Sequence, residues 1–192
     1  MAPMQVGVLA LQGAFKEHRL MFESLGVKVA EVRLPADLSK VSGLVIPGGE
    51  STTMAKLMRS YELDRAITEF AQMGKGVWGT CAGAIAIAKE IVGFPEQPRL
   101  GLMDISVARN AYGRQVASFE VEVDVKGFET PFHTVFIRAP RIEKTGTRVE
   151  VLASYEGYAI MAREANFMAT VFHPELTNDA RVHQYFLEQV CS

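Results

Sequence analysis

Val77-Trp78-Gly79-Thr80-Cys81-Ala82-Gly83, with the apolar run GAIAIAKEI of residues 83–91 behind it, is the stretch that decides the fold. Residues 76–79 (GVWG) read as a short buried strand, and residues 83–91 as a helix that is apolar on most faces. Between them stands Gly-x-Cys-x-Gly. A sharp strand-to-helix turn of this form lifts its central residue out of a sheet, and glycine on either side tolerates the crowding that results. The backbone of Cys81 is therefore expected to be strained. Its sulfur should sit at a helix N-terminus, where the peptide dipole favours thiolate. The N–H of Ala82 is placed to donate to an oxyanion formed by attack of that sulfur. The rival reading is a buried structural cysteine in an ordinary strand-to-helix loop.

Working outward, the first half alternates strands and helices. Residues 5–11 (QVGVLAL), 27–32 and 43–46 (GLVI) read as strands. Phe15, His18, Phe22 and Leu25 fall at helical spacing, with Gly26 as the stop, and further helices are expected near residues 53–59 and 64–73. This alternation implies a parallel sheet with helices on both faces. The second half differs. Residues 105–109, 116–125, 134–139, 149–155, 158–164 and 167–172 look like strands with few helical patterns between them, so part of it is expected to be antiparallel. Residues 180–190 close the chain as a helix. The expected fold class is thus α/β, with a mostly parallel central sheet and some antiparallel strands in the second half. The 192 residues suit one domain.

Composition narrows the function classes. A net charge of −2 offers no electrostatic reason to expect nucleic acid or anionic lipid as a partner. No apolar run reaches the ~18 residues of a membrane span, and the first eleven residues lack the pattern of a signal peptide. Two cysteines far apart, Cys81 and Cys191, fit a reducing compartment, and the cytoplasm is the expected location. Cys191 is read as a C-terminal residue without a role. No cluster of His, Cys and carboxylates has zinc-like spacing, and no metal or cofactor is expected.

A cysteine nucleophile needs a base, and the base an orienting group. Of four histidines, His18 is read as a partly buried helix residue, His133 as part of a turn and His183 as solvent-facing. His173 is different, because it ends an apolar strand and opens His173-Pro174-Glu175. In extended chain, residues i and i+2 share a side about 6.6 Å apart, so Glu175 can bond one ring nitrogen and leave the other for the thiol. Pro174 biases His173 towards extended geometry. A second glycine turn, Pro47-Gly48-Gly49-Glu50-Ser51-Thr52, follows residues 43–46. Its glycines allow close approach of backbone to a ligand, a backbone N–H there could complete the oxyanion hole, and Ser51 and Thr52 could cap the next helix. A phosphate loop is the weaker reading, since no Gly-x-x-x-x-Gly-Lys-Ser/Thr pattern is present. Strand ends in a parallel sheet are where sites form, and all three features follow strands.

These residues resemble the class I, triad-type glutamine amidotransferases. Leu11-Gln12-Gly13, the stretch RNAYGRQ of residues 109–115, Ser118-Phe119-Glu120, Phe136-Ile137-Arg138-Ala139-Pro140 and Phe172-His173-Pro174-Glu175-Leu176-Thr177 narrow the resemblance. They are similar to the glutaminase subunits of pyridoxal 5'-phosphate synthases over essentially the whole chain. The resemblance implies hydrolysis of L-glutamine to glutamate and ammonia by Cys81, His173 and Glu175. It implies delivery of that ammonia through a tunnel to a separate synthase subunit in a hetero-oligomer, and weak activity until that partner docks. It also implies that Gly49, Glu50, Ser51, Arg109, Ile137 and Arg138 contact glutamine. It further implies that the N–H groups of Gly49 and Ala82 form the oxyanion hole and that Gln12 lies near the partner contact. Arg109 and Arg138 are the expected clamps for the α-carboxylate. One departure is Ala84, where a larger apolar residue is expected. The alternatives are a glutaminase serving another synthase, a cysteine hydrolase on the same scaffold, and a non-enzymatic interaction module.

Overall fold

A computed structural model describes residues 4–112 and 118–191 of the chain. Gly113, Arg114, Gln115 and the start of the expected strand at residues 116–125 lie outside them. The first half runs β1 (Gln5–Leu9), α1 (Phe15–Ser24), β2 (Lys28–Val32), a 3-10 turn (Pro35–Lys40), β3 (Gly43–Ile46), α2 (Ser51–Ser60), α3 (Leu63–Gln72), β4 (Gly76–Thr80) and α4 (Ala82–Ile87). The second half runs β5 (Ala88–Ile91), β6 (Met103–Ala108), β7 (Ser118–Val123), β8 (Phe132–Ile137), β9 (Arg141–Thr145), β10 (Glu150–Tyr155), β11 (Tyr158–Glu164), β12 (Phe167–Thr170), a 3-10 turn (Pro174–Leu176) and α5 (Arg181–Gln189).

The main sheet is mixed, as expected. It has strand order β2-β1-β3-β4-β12-β11-β9-β6-β5, with β10 paired to β11 off that path. From β2 to β12 every pairing is parallel, and β12 returns from the far end of the chain to lie beside β4 in the register Thr170↔Thr80. Pairings β12–β11, β11–β9 and β9–β6 are antiparallel. A separate antiparallel ribbon, β7–β8, docks on the sheet through the N–H of His173, which donates to Val135 O at 2.8 Å.

Side chains alternate across a strand, and β4 shows the consequence. Trp78 and Thr80 point to the face covered by α1 and α5, where Trp78 lies 5.4 Å from the Phe186 ring and Thr80 Oγ1 lies 3.1 Å from His18 Nε2. Gly79 points to the opposite face, where a methyl group would strike the backbone of Gly83 in α4. Helices therefore cover both faces. Trp78 is fully buried, and its Nε1–H donates to Thr170 Oγ1 at 3.0 Å, so the one polar atom of the largest core side chain is satisfied.

Several elements differ from the sequence reading. The expected helix at residues 83–91 stops at Ile87, and residues 88–91 form β5 beside β6. The carbonyls of Ala86 and Ile87 accept from Leu100 and Leu102, at 2.7 and 2.9 Å, which takes them out of any further helical turn. A run of alanine and isoleucine buried on all sides carries no periodicity that could reveal this end. β9 (RIEKT) went unread because, of its five residues, only Ile142 is buried. His133 lies inside β8 rather than in a turn. Among the described residues no helix is long and apolar enough to cross a membrane.

Candidate active site

Three chain segments leave β3, β4 and β12 at the same sheet edge, because these neighbours are parallel. They carry Pro47-Gly48-Gly49, Cys81 and His173. Cys81 adopts φ 51 and ψ −107, a backbone that L-residues rarely take and that the tight turn imposes. The turn has no room for side chains. A Cβ on Gly83 would run into Ile46 O, and one on Gly13 into Gly48 O, which instead accepts from the N–H of Ala14 at 3.0 Å. A Cβ on Gly48 would stand 2.6 Å from His173 Cε1 and 3.4 Å from Cys81 Cβ. Cys81 and His173 thus both pack against the α-carbon of one glycine.

His173 Nδ1 bonds Glu175 Oε1 at 2.6 Å, and Glu175 is 5% exposed. The expected i, i+2 relation holds, with a different cause. His173 takes φ −110 and ψ 83, short of the extended geometry expected before proline, and Pro174 then opens a 3-10 turn that brings Glu175 back under the ring. Burial works against a charge on His173. A hydrogen bond to the Cys81 sulfur and the Glu175 carboxylate outweigh it and hold the pKa above the ordinary imidazole range. Burial likewise opposes ionisation of Glu175, but His18 and His173 more than offset it, and the carboxyl is held below the usual range. A cysteine, an imidazole and a buried carboxylate are thus brought together, the kinds of group a cysteine hydrolase uses.

A pocket of about 540 Å3 opens in front of Cys81 and His173. Gly49, Glu50, Ser51, Ala82, Arg109, Ile137 and Arg138 also line it. Glu175 stands behind the imidazole, outside that lining. Arg109 follows the end of β6, stacks over Phe94 at 4.4 Å from the ring centroid and donates to Gln97 Oε1 at 2.7 Å. Gln97 in turn donates to Ser51 Oγ at 3.1 Å, so one amide ties two expected substrate contacts together. Arg138 is exposed on a left-handed backbone, φ 43, just after β8.

Gln12 braces the glycine turn. Its Oε1 accepts from Glu50 N–H at 3.2 Å, and its amide packs so closely on Gly49 that a Cβ there would collide with it. Glu50 corrects one expectation. Its carboxylate, not Ser51 or Thr52, caps α2, accepting from the N–H groups of Thr52 and Thr53 at 3.0 and 2.7 Å. The Thr53 hydroxyl adds a third bond and holds the carboxyl down at about 2. Among the described residues no group of His, Cys, Asp and Glu could hold a metal ion.

Comparisons with known proteins identify the family. A family profile described as the SNO glutamine amidotransferase family matches residues 8–192. The chain belongs to that family. It is 57% identical over 189 residues to "Pyridoxal 5'-phosphate synthase subunit PdxT" of Herpetosiphon aurantiacus, covering 96% of this chain and 99% of that protein. It is 51% identical over 187 residues to the protein of the same description from Thermosipho africanus, covering 97% and 99%. A solved structure titled "Crystal structure of glutamine amidotransferase" superimposes with a TM-score of 0.94 at 49% identity, covering 97% of this chain and 99% of the other. The structure of PurLQS from Thermotoga maritima, 19% identical with a TM-score of 0.70 over 97% of this chain and 98% of the other, shares the fold alone.

Within the family fold, every pocket-lining residue expected from the sequence converges on one cavity, and Gln12 and Glu175 support it from outside. Sequence reasoning missed Gln97 and Asn110, which lies on the pocket rim with φ 48. It also misjudged two histidines. His183 was expected to face solvent and His18 to be partly buried, yet both are fully buried. They bond each other behind Glu175, with His18 Nδ1 2.9 Å from His183 Nε2. A histidine on the apolar face of each helix is the only sequence signal for this, and nothing in sequence pairs positions so far apart.

Proposed function

We propose that this chain is the glutaminase subunit of a pyridoxal 5'-phosphate synthase, acting as one domain that hydrolyses L-glutamine and passes ammonia to a synthase subunit. The observation that carries the chemistry is that Cys81 and His173 line the pocket together while Glu175, buried behind the imidazole, bonds His173 at 2.6 Å. The Cys81 thiolate attacks the side-chain amide carbon, and the N–H groups of Gly49 and Ala82 receive the developing oxyanion. His173 gives its Nε2 proton to the departing nitrogen, so ammonia leaves and a γ-glutamyl thioester remains. The imidazole, now neutral, takes a proton from water, hydroxide adds to the thioester and the Cys81 sulfur departs with glutamate released. Glu175 accepts from Nδ1–H throughout and keeps the other nitrogen turned to the reacting atoms.

Arg109 and Arg138 supply the cationic rim for the α-carboxylate, with Ser51, Ile137 and the backbone of Gly49 and Glu50 around the rest of the substrate. Gln12, which braces the turn holding Gly49, couples the partner surface to the oxyanion hole. The ammonia route is an enclosed tunnel formed with the partner. Cys81 and Cys191 are both free thiols, which fits the reducing cytoplasm.

Glutamate formation by wild type and Cys81→Ala, each with and without the synthase subunit, tests this. The expected result is activation of wild type by the partner and a loss of roughly a thousandfold or more in Cys81→Ala with unchanged melting. Wild-type ammonia release by Cys81→Ala overturns the nucleophile.

A further inference from the structure

Behind Glu175, on the side away from the pocket, lies a buried histidine pair that the chemistry above does not use. His18 comes from α1 and His183 from α5, and both are fully buried. His18 Nε2 stands 3.4 Å from Glu175 Oε2 and 3.1 Å from Thr80 Oγ1, while its Nδ1 bonds His183 Nε2 at 2.9 Å. Glu175 Oε2 and His183 Nδ1 are both buried, and neither has a hydrogen-bond partner among the described residues, so the 3.4 Å approach of His18 is the polar contact nearest to that carboxylate oxygen.

These contacts decide where the protons sit. If His18 carried its proton on Nδ1, it would donate to His183, and His183 would have to carry its own proton on the unpartnered Nδ1. A buried N–H would then be orphaned, and the Nε2 lone pair of His18 would face a buried carboxylate oxygen. With the tautomers reversed, His183 donates Nε2–H to His18 Nδ1, and His18 Nε2–H lies between Glu175 Oε2 and Thr80 Oγ1. Only an acceptor, His183 Nδ1, is left without a partner, which is the cheaper omission. Burial keeps both rings neutral, pushing each down to about 3, so a proton on one nitrogen dictates its absence on the other.

We propose that His18 is a positioning residue for the triad: its Nε2–H holds the second oxygen of Glu175, and His183 fixes the tautomer that makes this donation possible. This rests on the Cys81–His173–Glu175 reading. Glu175 then has one oxygen held by His173 and the other by His18, so the carboxylate has little freedom to rotate and His173 stays aimed at the sulfur. His18 is outside the pocket lining, so its effect falls on turnover and not on glutamine binding.

Two isosteric changes separate donation from packing. The side-chain amide of Gln reaches the place of the imidazole Nε2, and that of Asn the place of Nδ1. Assayed with the synthase subunit, His18→Asn is expected to lower kcat about 10- to 100-fold, as for a lost bond to a charged group, with KM for glutamine unchanged. His18→Gln is expected to recover most of that loss. Wild-type kcat in His18→Asn, a change in KM alone, or a His18→Gln no better than His18→Asn overturns the proposal. If both variants fail to fold, nitrogen-15 spectra of histidine-labelled wild-type protein decide: a proton on His18 Nε2 supports donation, and any state without one removes it. Cys81→Ala assayed alongside keeps the two readings apart. A dead Cys81→Ala with a fully active His18→Asn sinks this inference alone, whereas an active Cys81→Ala sinks the triad itself.

Discussion

The wall of the pocket that carries Cys81 and His173 is built from backbone pressed on backbone, whereas the wall that carries Arg109 and Arg138 is built from long side chains laid over loops. On the first wall, added methyl groups at Gly48, Gly79 and Gly83 would meet backbone or the histidine ring itself. Its titratable groups, His173, Glu175, His18 and His183, are all buried. On the second, Arg138 is exposed, and Arg109 is held by one ring face and one amide. The difference teaches that precision and selectivity are placed apart. On the proposed function, the groups that would move protons sit in tightly packed backbone, and the groups that would recognise a flexible substrate sit where side chains adjust.

The largest effect should come from disturbing the rigid wall. Gly48→Ala puts a methyl group 2.6 Å from His173 Cε1, so the imidazole must move. The expected result is a loss of about 100-fold or more in kcat/KM, the cost of a misplaced catalytic group, with a stability loss of about 1–3 kcal/mol. Hydrolysis and thermal melts check both, and a fully active Gly48→Ala enzyme would show that this wall has slack after all.

Acid should also separate the walls. His18 and His183 stay neutral in the fold down to about 3 but take up protons near 6.5 when unfolded. The unfolded state therefore binds more protons in this window, and stability falls as pH falls below about 6.5, by about 1.4 kcal/mol per pH unit for each ring. His173 has the opposite sign. Its raised pKa gives stability that is complete below 6.5 and lost as pH rises through the folded value, so it does not add to the acid slope. Urea unfolding between about pH 4.5 and 6.5 should show the combined slope, and His183→Gln should halve it. An unchanged slope in that variant would mean the ring is not kept neutral by burial. Exposed His133, on the β7–β8 ribbon, gives the contrast. Bonds to Glu120 and Glu122, each at 2.7 Å, raise its pKa instead.

The smallest effect belongs to the adjustable wall. Gln97→Ala removes the amide between Arg109 and Ser51, and should raise KM for glutamine roughly 2- to 10-fold with kcat kept. Melting should be nearly unchanged, because a partly exposed residue carries little stability. A fall in kcat without a rise in KM would move Gln97 from recognition to catalysis and blur the two walls.

Much of the rigid wall was legible because its constraints are local. Gly-x-Cys-x-Gly between an apolar strand and an apolar run specifies a turn within a few residues, and His-Pro-Glu specifies an oriented imidazole within three. The end of α4 at Ile87 was not legible, since it is set by Leu100 and Leu102 taking the last carbonyls. The cap of α2 was misassigned to Ser51 and Thr52, because Glu50, with a longer side chain, folds back on two N–H groups that sequence leaves open to any nearby acceptor.

By itself, then, the sequence determined the α/β class, the two glycine turns and the bond between His173 and Glu175, since each depends on short-range sterics and on strand and helix periodicity. Only the tertiary structure decided that β12 lies beside β4, that Gln97 bridges Arg109 and Ser51, and that His18 and His183 meet behind Glu175. Those contacts join residues brought together by sheet order and helix packing. Burial then sets the charge of the histidine pair, and burial depends on how the packed elements enclose a residue, which a linear pattern does not record.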